Sequence, residues 1–482
     1  QLFIFTILGF NISNFTAKNN LFVSNALINY WRFEVVYSSS LQNGSSAIDF
    51  EINQPPQNGS CSINPQNGTT TTLFNILCSN WQDSDGVQGY SFQSWTVDYT
   101  QQMILAYSPV STVQLRLPTG ADNTSLLHIV VRIRDTLHCI TEYNLSSVIV
   151  VADSELIDSL VDNLQTSTTG LTNHPLVQVL NSGNQNAISQ VINSLSQEFN
   201  KINLESIQTI VANGIPTSNI VVSPLDSQYQ PGSSTSFNAS VLTEYNEQLN
   251  IYANVRDYLM TFTTDLIPTN GDSIALQATA LTQLTQSPNQ LTRTASMLGS
   301  EKCYQLASTL SSIATSVPYE DVQIAATQIA QCTSNVLSAI NGPLQQRTNV
   351  LDLDFSRANT LPSDYDTDLE SVWSNPNLFA DGNDFSWETI EKNRNIYYQK
   401  QAANEICTEV EQTISLISSA LNIHLNLDQS LTINTSSIFM SMETISVDSL
   451  SNKSVEQIGE ARIQMPSNLQ FSATNSSSLS VQ

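Results

Sequence analysis

Asn53-Gln-Pro-Pro-Gln-Asn-Gly-Ser-Cys61-Ser-Ile-Asn-Pro65-Gln-Asn-Gly68, followed by Phe74-Asn-Ile-Leu-Cys78-Ser-Asn-Trp81-Gln-Asp83-Ser-Asp85 and by Tyr90-Ser-Phe92, decides the fold of the N-terminal part of the chain. Pro55 and Pro56 cannot donate ladder hydrogen bonds, so strand pairing stops there. Asn58-Gly59 and Asn67-Gly68 are strong short turn signals. Between and after them lie segments of strand-like composition: Ser60 to Ile63, Thr69 to Leu77 and Tyr90 to Tyr99. Cys61 and Cys78 flank one of the turns, and their segments can run antiparallel. A disulfide between them would stabilise the fold by roughly 3 kcal/mol through loop entropy, with Trp81 packed near it. The alternative is two free cysteines in a β core.

These residues, with their rare types in fixed order, resemble the REJ (receptor for egg jelly) module of polycystin-1 and its relatives. There a Pro-Pro-x-Asn-Gly-x-Cys turn, a Pro-x-x-Gly turn and a Cys-x-x-Trp-x-Asp element recur on a β-sandwich. The resemblance implies a module of a large extracellular receptor stalk.

Outward from this stretch, residues 27–152 read as all-β. Tyr30 to Tyr37 and Ala47 to Ile52 alternate as half-buried strands do. Val113 to Leu117, Leu127 to Ile133 and Ser147 to Val151 follow. About seven short strands separated by turn signals suggest an immunoglobulin- or fibronectin-type β-sandwich. Residues 1–26 read as the tail of a preceding domain. Their opening apolar run has no basic flank and no small-residue cleavage pattern, so it makes a poor signal peptide.

At Asp153 the apolar period changes from two to three or four, which predicts helices. Asp153 or Ser154 is the expected N-cap of the first. Residues 153–350 form a helical, bundle-like region, with a Pro/Ser/Thr/Gly-rich loop at 215–237. Tyr245, Leu249, Tyr252, Val255, Leu259 and Phe262 make one stripe. Cys303, Leu306, Leu310 and Ile313 make another, and Val322, Ala325, Ile329, Cys332, Val336 and Ile340 a third. Residues 351–387 are an acidic loop. A long helix spans 388–424, with Cys407, Val410, Ile414, Ile417 and Leu421 expected on its apolar face. Two hydrophobic cores should follow, so that a segment ending at Ala152 folds alone. The alternative is that Leu156, Ile157 and Leu160 pack back onto the sheet.

Residues 425–482 turn β again, with Ser430 to Ile433, Ile438 to Met442 and Ala461 to Met465 read as strands. A helical part followed by strands ending in x-Ile-x-Met-Pro466 resembles the opening of a GAIN domain, an incomplete one here. No Cys or Trp follows Cys407, so the autoproteolysis segment of that domain is not in this sequence and no residue is assigned to cleavage. The fold class expected is therefore multidomain α+β.

Composition narrows the partners. Lys and Arg number 16 against 42 Asp and Glu, a formal charge of −26. Phosphate recognition needs clustered basic residues, so nucleic acid is excluded as a partner, and an anionic membrane surface is disfavoured. No run of about 18 apolar residues exists, so no span is predicted. Asn11, Asn14, Asn43, Asn58, Asn67, Asn123, Asn144, Asn238, Asn434, Asn452 and Asn475 all begin Asn-x-Ser/Thr. Their density, with six cysteines and few lysines, points to the secretory route. The gap in sequons between Asn238 and Asn434 coincides with the helical region.

Little else suggests chemistry. His128, His138, His174 and His424 have no metal spacing. His138 and Cys139 are strand neighbours and face opposite sides. Nucleotide-binding, α/β-hydrolase and zinc-protease motifs are missing, so no enzyme and no cofactor is expected. Asp364, Asp366 and Asp368 have the spacing of early calcium-loop ligands. Leu369 stands where such a loop has Gly and Asn375 where it has Glu, so a solvated acidic loop is the better reading. Cys303 and Cys332, on neighbouring antiparallel helices, are the first candidates for a second bridge, with buried free thiols as the alternative. The family resemblance implies a non-enzymatic extracellular portion of a polycystin-1/REJ-like membrane receptor, acting in adhesion or ligand sensing. By the same resemblance its partners would be an extracellular protein or glycan and, through a membrane part, a polycystin-2-type cation channel. The rival is a secreted adhesion or matrix glycoprotein with no channel partner.

Overall fold

A computed structural model of the chain describes residues 20–23, 25, 28–38, 42–95, 102–120, 124–166, 174–212, 239–341, 387–425, 429–446, 454–456, 462–464 and 478–481. Sheets lie N-terminal, a helical region follows, and short strands close the described part, so the fold is mixed α+β.

Strands β1 (Tyr30–Ser38) and β2 (Asn43–Glu51) form a hairpin that pairs with no other described strand. Both were expected inside the sandwich. They have too little to bury there: Trp31 and Phe50 close around Phe22, while Val35, Val36 and Ile48 stay exposed.

Nine further strands make the β unit: β3 (Ser60–Asn64), β4 (Asn67–Thr69), β5 (Phe74–Ser79), β6 (Val87–Trp95), β7 (Gln102–Ser108), β8 (Thr112–Leu115), β9 (Leu126–Asp135), β10 (Ile140–Asn144) and β11 (Val148–Val151). One sheet has the order β3-β5-β8. The other is six-stranded, in the order β4-β11-β9-β6-β7 with β10 also on β9. Alternation decides which side chains meet. Ile63, Phe74, Ile76 and Leu115 from the small sheet share one core with Phe92, Leu105, Ile129, Val131, Ile133 and Val148 from the large one. Cys61 lies directly opposite Cys78 in the β3–β5 register, and the two are disulfide-bonded. Trp81 packs against this core. Its ring covers Gly59, where a Cβ would come within 2.2 Å, which is why that turn takes glycine.

Among the described residues eight α-helices follow: α1 (Ser154–Thr166), α2 (Pro175–Leu180), α3 (Gln185–Ala212), α4 (Ala239–Asp265), α5 (Gly271–Thr285), α6 (Arg293–Ile313), α7 (Tyr319–Asn341) and α8 (Trp387–Asn422). Their starts follow from local chemistry. Asn270 and Ser273 form a reciprocal capping box at α5. Thr292 accepts from the Ala295 amide at α6. His174 caps α2, with Pro175 in the first turn. Strand β13 (Phe439–Ser446) pairs with both β12 (Gln429–Asn434) and β16 (Ser478–Val481), and β14 (Ser454–Glu456) pairs with β15 (Arg462–Gln464).

The helices enclose a second core, which also takes Leu431, Ile433, Met440 and Met442 from β12 and β13. Ile157 and Leu160 belong to this helical core rather than to the sandwich core, and so does Ile104 of strand β7. Two cores therefore exist, but one strand serves both. Cys407 is exposed rather than on the buried face of α8, which presents Ala402, Ile406, Val410, Thr413 and Ile417 instead. Cys303 and Cys332, the first candidates for a second bridge, are buried side by side with their sulfurs 2.9 Å apart, drawn as thiols.

Candidate functional site

The residues singled out by sequence do not converge. Cys61 and Cys78 close the small sheet. Asn43, Asn58, Asn67, Asn144 and Asn434 are all exposed, as a glycan acceptor must be. Asn11, Asn14, Asn123, Asn238, Asn452 and Asn475 lie outside the described residues, as do Asp364, Asp366 and Asp368. Among the described residues, no group of three or more His, Cys, Asp or Glu is placed to hold a metal ion, and no helix is long and apolar enough to cross a membrane. Three histidines make local contacts: His128 with Ser147, His174 with the Leu176 amide and His424 with the Ala314 carbonyl. His138 and Cys139 are not strand neighbours as expected but lie in the turn between β9 and β10, where His138 has a φ of 72°.

What the fold does build is a seam between the six-stranded sheet and the helices. Strand β7 is the last strand of that sheet, so one side of its backbone has no strand partner. Unpaired buried amides and carbonyls are costly, and an open edge invites a foreign strand. Helix α3 covers the edge with three polar side chains spaced four residues apart, hence on one face. Asn186 accepts from the Tyr107 amide at 3.3 Å and donates to the Tyr107 carbonyl at 3.0 Å, as a neighbouring strand residue would. Gln190 accepts from the Arg116 amide at 2.9 Å and donates to the Leu105 carbonyl at 3.3 Å, tying the two sheets together. Ser194 donates to the Leu117 carbonyl at 3.5 Å. From α7, Gln328 donates to the Gln102 carbonyl at 3.0 Å. Substituting Gln190→Ala should destabilise the protein by about 1–3 kcal/mol, the cost of leaving buried backbone groups unpaired. Hydrogen exchange at the Arg116 amide should quicken in the same variant. An unchanged exchange rate would count against this account of the edge.

The outer face of the same sheet carries charge. Val131 and Ile133 of β9 point into the sandwich, so Arg132 and Arg134 point out. Arg132 meets Glu320 at 2.6 Å and Glu142 at 3.1 Å. Arg134 meets Asp321 at 2.5 Å and Asp272 at 3.9 Å. Glu320 and Asp321 open α7, and Asp272 opens α5, where negative charge also suits the helix dipole. The two arginine side chains are only 11% and 16% exposed, but Glu142 and Glu320 stay open to solvent, so the Arg134–Asp321 pair is the one far drier than an ordinary surface bridge. Tyr107 stands beside them, hydrogen-bonded to Ser91, with burial and the neighbouring Asp272 and Asp321 pushing its phenol pKa up. Between sheet and helices remains a cavity of about 480 Å³ lined by Tyr90, Tyr107, Arg134, Gln185, Asn186 and Asp272, among others.

Asp272 is the seam's titrating group near neutrality. Burial raises its pKa to about 6, with Asp321 adding to the rise and Arg134 opposing it. A carboxyl whose folded pKa is raised contributes stability below its unfolded pKa, and that contribution is lost as pH rises through about 6. Asp272→Asn should therefore raise the melting temperature relative to the parent at pH 7.5, and the advantage should shrink towards pH 4.5. Parallel melting curves across that range check this. A difference that does not vary with pH would refute it.

None of the seam residues was singled out by sequence as a site. Arg132 figured only as one residue of a strand. The available signal was two arginines at alternate strand positions in a chain with so few basic residues.

Three comparisons with known proteins bear on the chain. No curated protein matches it. Among solved structures, trypsin-activated alpha-2-macroglobulin from Escherichia coli aligns at 9% identity over 86% of this chain and 32% of that one. The chain thus spans about a third of that structure's length, and the TM-score of 0.11 carries no argument about fold. The family model of the REJ domain matches residues 5–194. The match ends at Ser194, the last of the three α3 side chains that bond to the backbone of the β unit.

Proposed function

We propose, from the match of residues 5–194 to the family model of the REJ domain, that this part of the chain is an extracellular module of the polycystin-like kind and that the chain is a non-enzymatic adhesion and sensing segment. It would bind an extracellular protein or glycan through the β unit and pass load or occupancy through the seam into the helices. Two sheets packed on one core support an immunoglobulin-type reading of the β unit. The sharing of one core by the helices and strands β12 and β13 supports a GAIN-like reading of the C-terminal part. On that reading a membrane portion and a polycystin-2-type channel lie downstream in the pathway of force. A secreted adhesion or matrix glycoprotein is the second reading, and the exposed sequons favour both equally.

The observation that carries the proposal is the seam. Sheet and bundle are joined by side-chain bonds to strand backbone, by the buried Arg134–Asp321 pair and by the half-open Arg132–Glu320 pair, so a pull on one is felt by the other without a hinge. Single-molecule pulling tests it. The β unit and the bundle should yield together in the parent, and an Arg132→Ala/Arg134→Ala variant should release them in two steps. Independent unfolding of the two parts in the parent would sink the proposal.

A further inference from the structure

We infer that Cys303 and Cys332 are the site of a second disulfide, one that pins α6 to α7 and closes before the bundle is fully packed. The geometry is specific. The two sulfurs lie 2.9 Å apart, longer than a bond of about 2.05 Å and closer than two unbonded sulfurs ordinarily pack. One turn along, Gly299 of α6 lies against Val336 of α7, where an added Cβ would come within 3.3 Å of Val336. Gly299 stands four residues before Cys303 and Val336 four after Cys332, the antiparallel register of two helices in close contact. A glycine at that crossing lets the backbones approach, and the approach is what brings the sulfurs together. Thr285 of α5 is the third wall, its hydroxyl 3.7 Å from the Cys332 sulfur.

The chemistry needs an oxidant, and the inference rests on the extracellular reading for its supply. Each cysteine gives up one proton and together they give up two electrons. The acceptor is the disulfide of a thiol–disulfide oxidoreductase of the secretory route. A thiolate of the pair attacks that disulfide, expels one of its sulfurs as thiolate and forms a mixed disulfide. The second cysteine's thiolate then attacks the bound cysteine's sulfur, forming Cys303–Cys332 and releasing the oxidoreductase as a dithiol. In the folded bundle Cys303 is 1% and Cys332 0% exposed, so no enzyme reaches them. Burial also holds the Cys332 thiol well above its ordinary pKa, which removes the reactive thiolate. The exchange therefore precedes final packing.

The bond would matter for the seam. Helix α7 delivers Glu320 and Asp321 to Arg132 and Arg134. A covalent tie from α7 to α6 would keep the segment between the cysteines from extending under load.

The test uses the full chain secreted from animal cells. Non-reducing peptide mapping after alkylation should recover a Cys303–Cys332 crosslinked peptide beside the Cys61–Cys78 one. Pulled from its ends, a Cys303→Ala/Cys332→Ala variant should release about 100 Å more contour length than the parent, the span of the 29-residue separation at full extension. The variant's melting temperature should fall by several degrees. Cys61–Cys78 bonded with Cys303 and Cys332 both alkylated, or no difference in contour length, would overturn the inference and leave the extracellular reading standing. All four cysteines recovered as thiols would overturn the extracellular reading itself.

Discussion

Replacing Arg256 by alanine should lower the unfolding free energy by on the order of 4 kcal/mol. Arg256 lies on α4 with no exposed surface. Its guanidinium donates to Gln290 Oε1 at 2.8 Å, to the Leu284 carbonyl at 2.6 Å and to Asn200 Oδ1 at 2.6 Å, with Phe199 beneath it. Among the described residues no carboxylate pairs with it. Burial lowers its pKa to about 9, which leaves it charged at neutral pH. The charge is held by the end of α5, because Leu284 sits in that helix's last turn. None of the described helices has a basic residue in its own last turn. Arg256 supplies that charge to α5 from a neighbour. Lys302 of α6 does the same for α4, donating to the Thr264 and Leu266 carbonyls. Removing the arginine strips partners from three acceptors and opens a void as well. Arg256→Met should restore the volume but not the donors, and so recover only part of the loss. Urea denaturation of the three proteins decides the matter. A methionine variant as stable as the parent would show that packing alone is at stake.

The second large effect belongs to Cys61 and Cys78. A Cys61→Ala/Cys78→Ala variant should lose about 2–5 kcal/mol, the usual result of removing a native disulfide from a small secreted domain. The bonded residues are 17 apart in sequence, and a loop of that size is worth roughly 3 kcal/mol of chain entropy. Both cysteines also fill the sandwich core beside Ile63, Phe74 and Ile76. Small cavities would add to the loss. Equilibrium unfolding with and without reductant measures it. A parent that melts identically in reductant would contradict the assigned role.

Much of the architecture was legible, and the two largest omissions have a common cause. Strands β3, β5, β9 and β11 alternate buried and exposed residues, which is the signal that periodicity detects. Helices α4, α6, α7 and α8 likewise keep a wet face. Short strands such as β10 escaped notice, and so did two longer elements, β7 and α5. In β7, Met103 to Ala106 are buried without a break. In α5 every residue from Gly271 to Thr285 except Asp272 is buried. An element covered on all sides has no reason to alternate or to carry a stripe, so its sequence shows no period. These two elements flank the seam, and its residues were missed with them. The side chains there are Asn, Gln and Ser, which read as loop or polar surface until a strand edge is known to face them.

The dependence of β7 on α3 limits how this segment can be rearranged in evolution. A cut after Ala152 would look natural by the change of pattern, yet it would separate Tyr107, Leu105 and Arg116 from the side chains that satisfy them. The orphaned edge would be free to recruit a strand from another molecule. The smallest piece that can be duplicated, shuffled or spliced elsewhere intact must therefore run past Ser194. Inheritance of the sheet and of the first half of α3 is a single event.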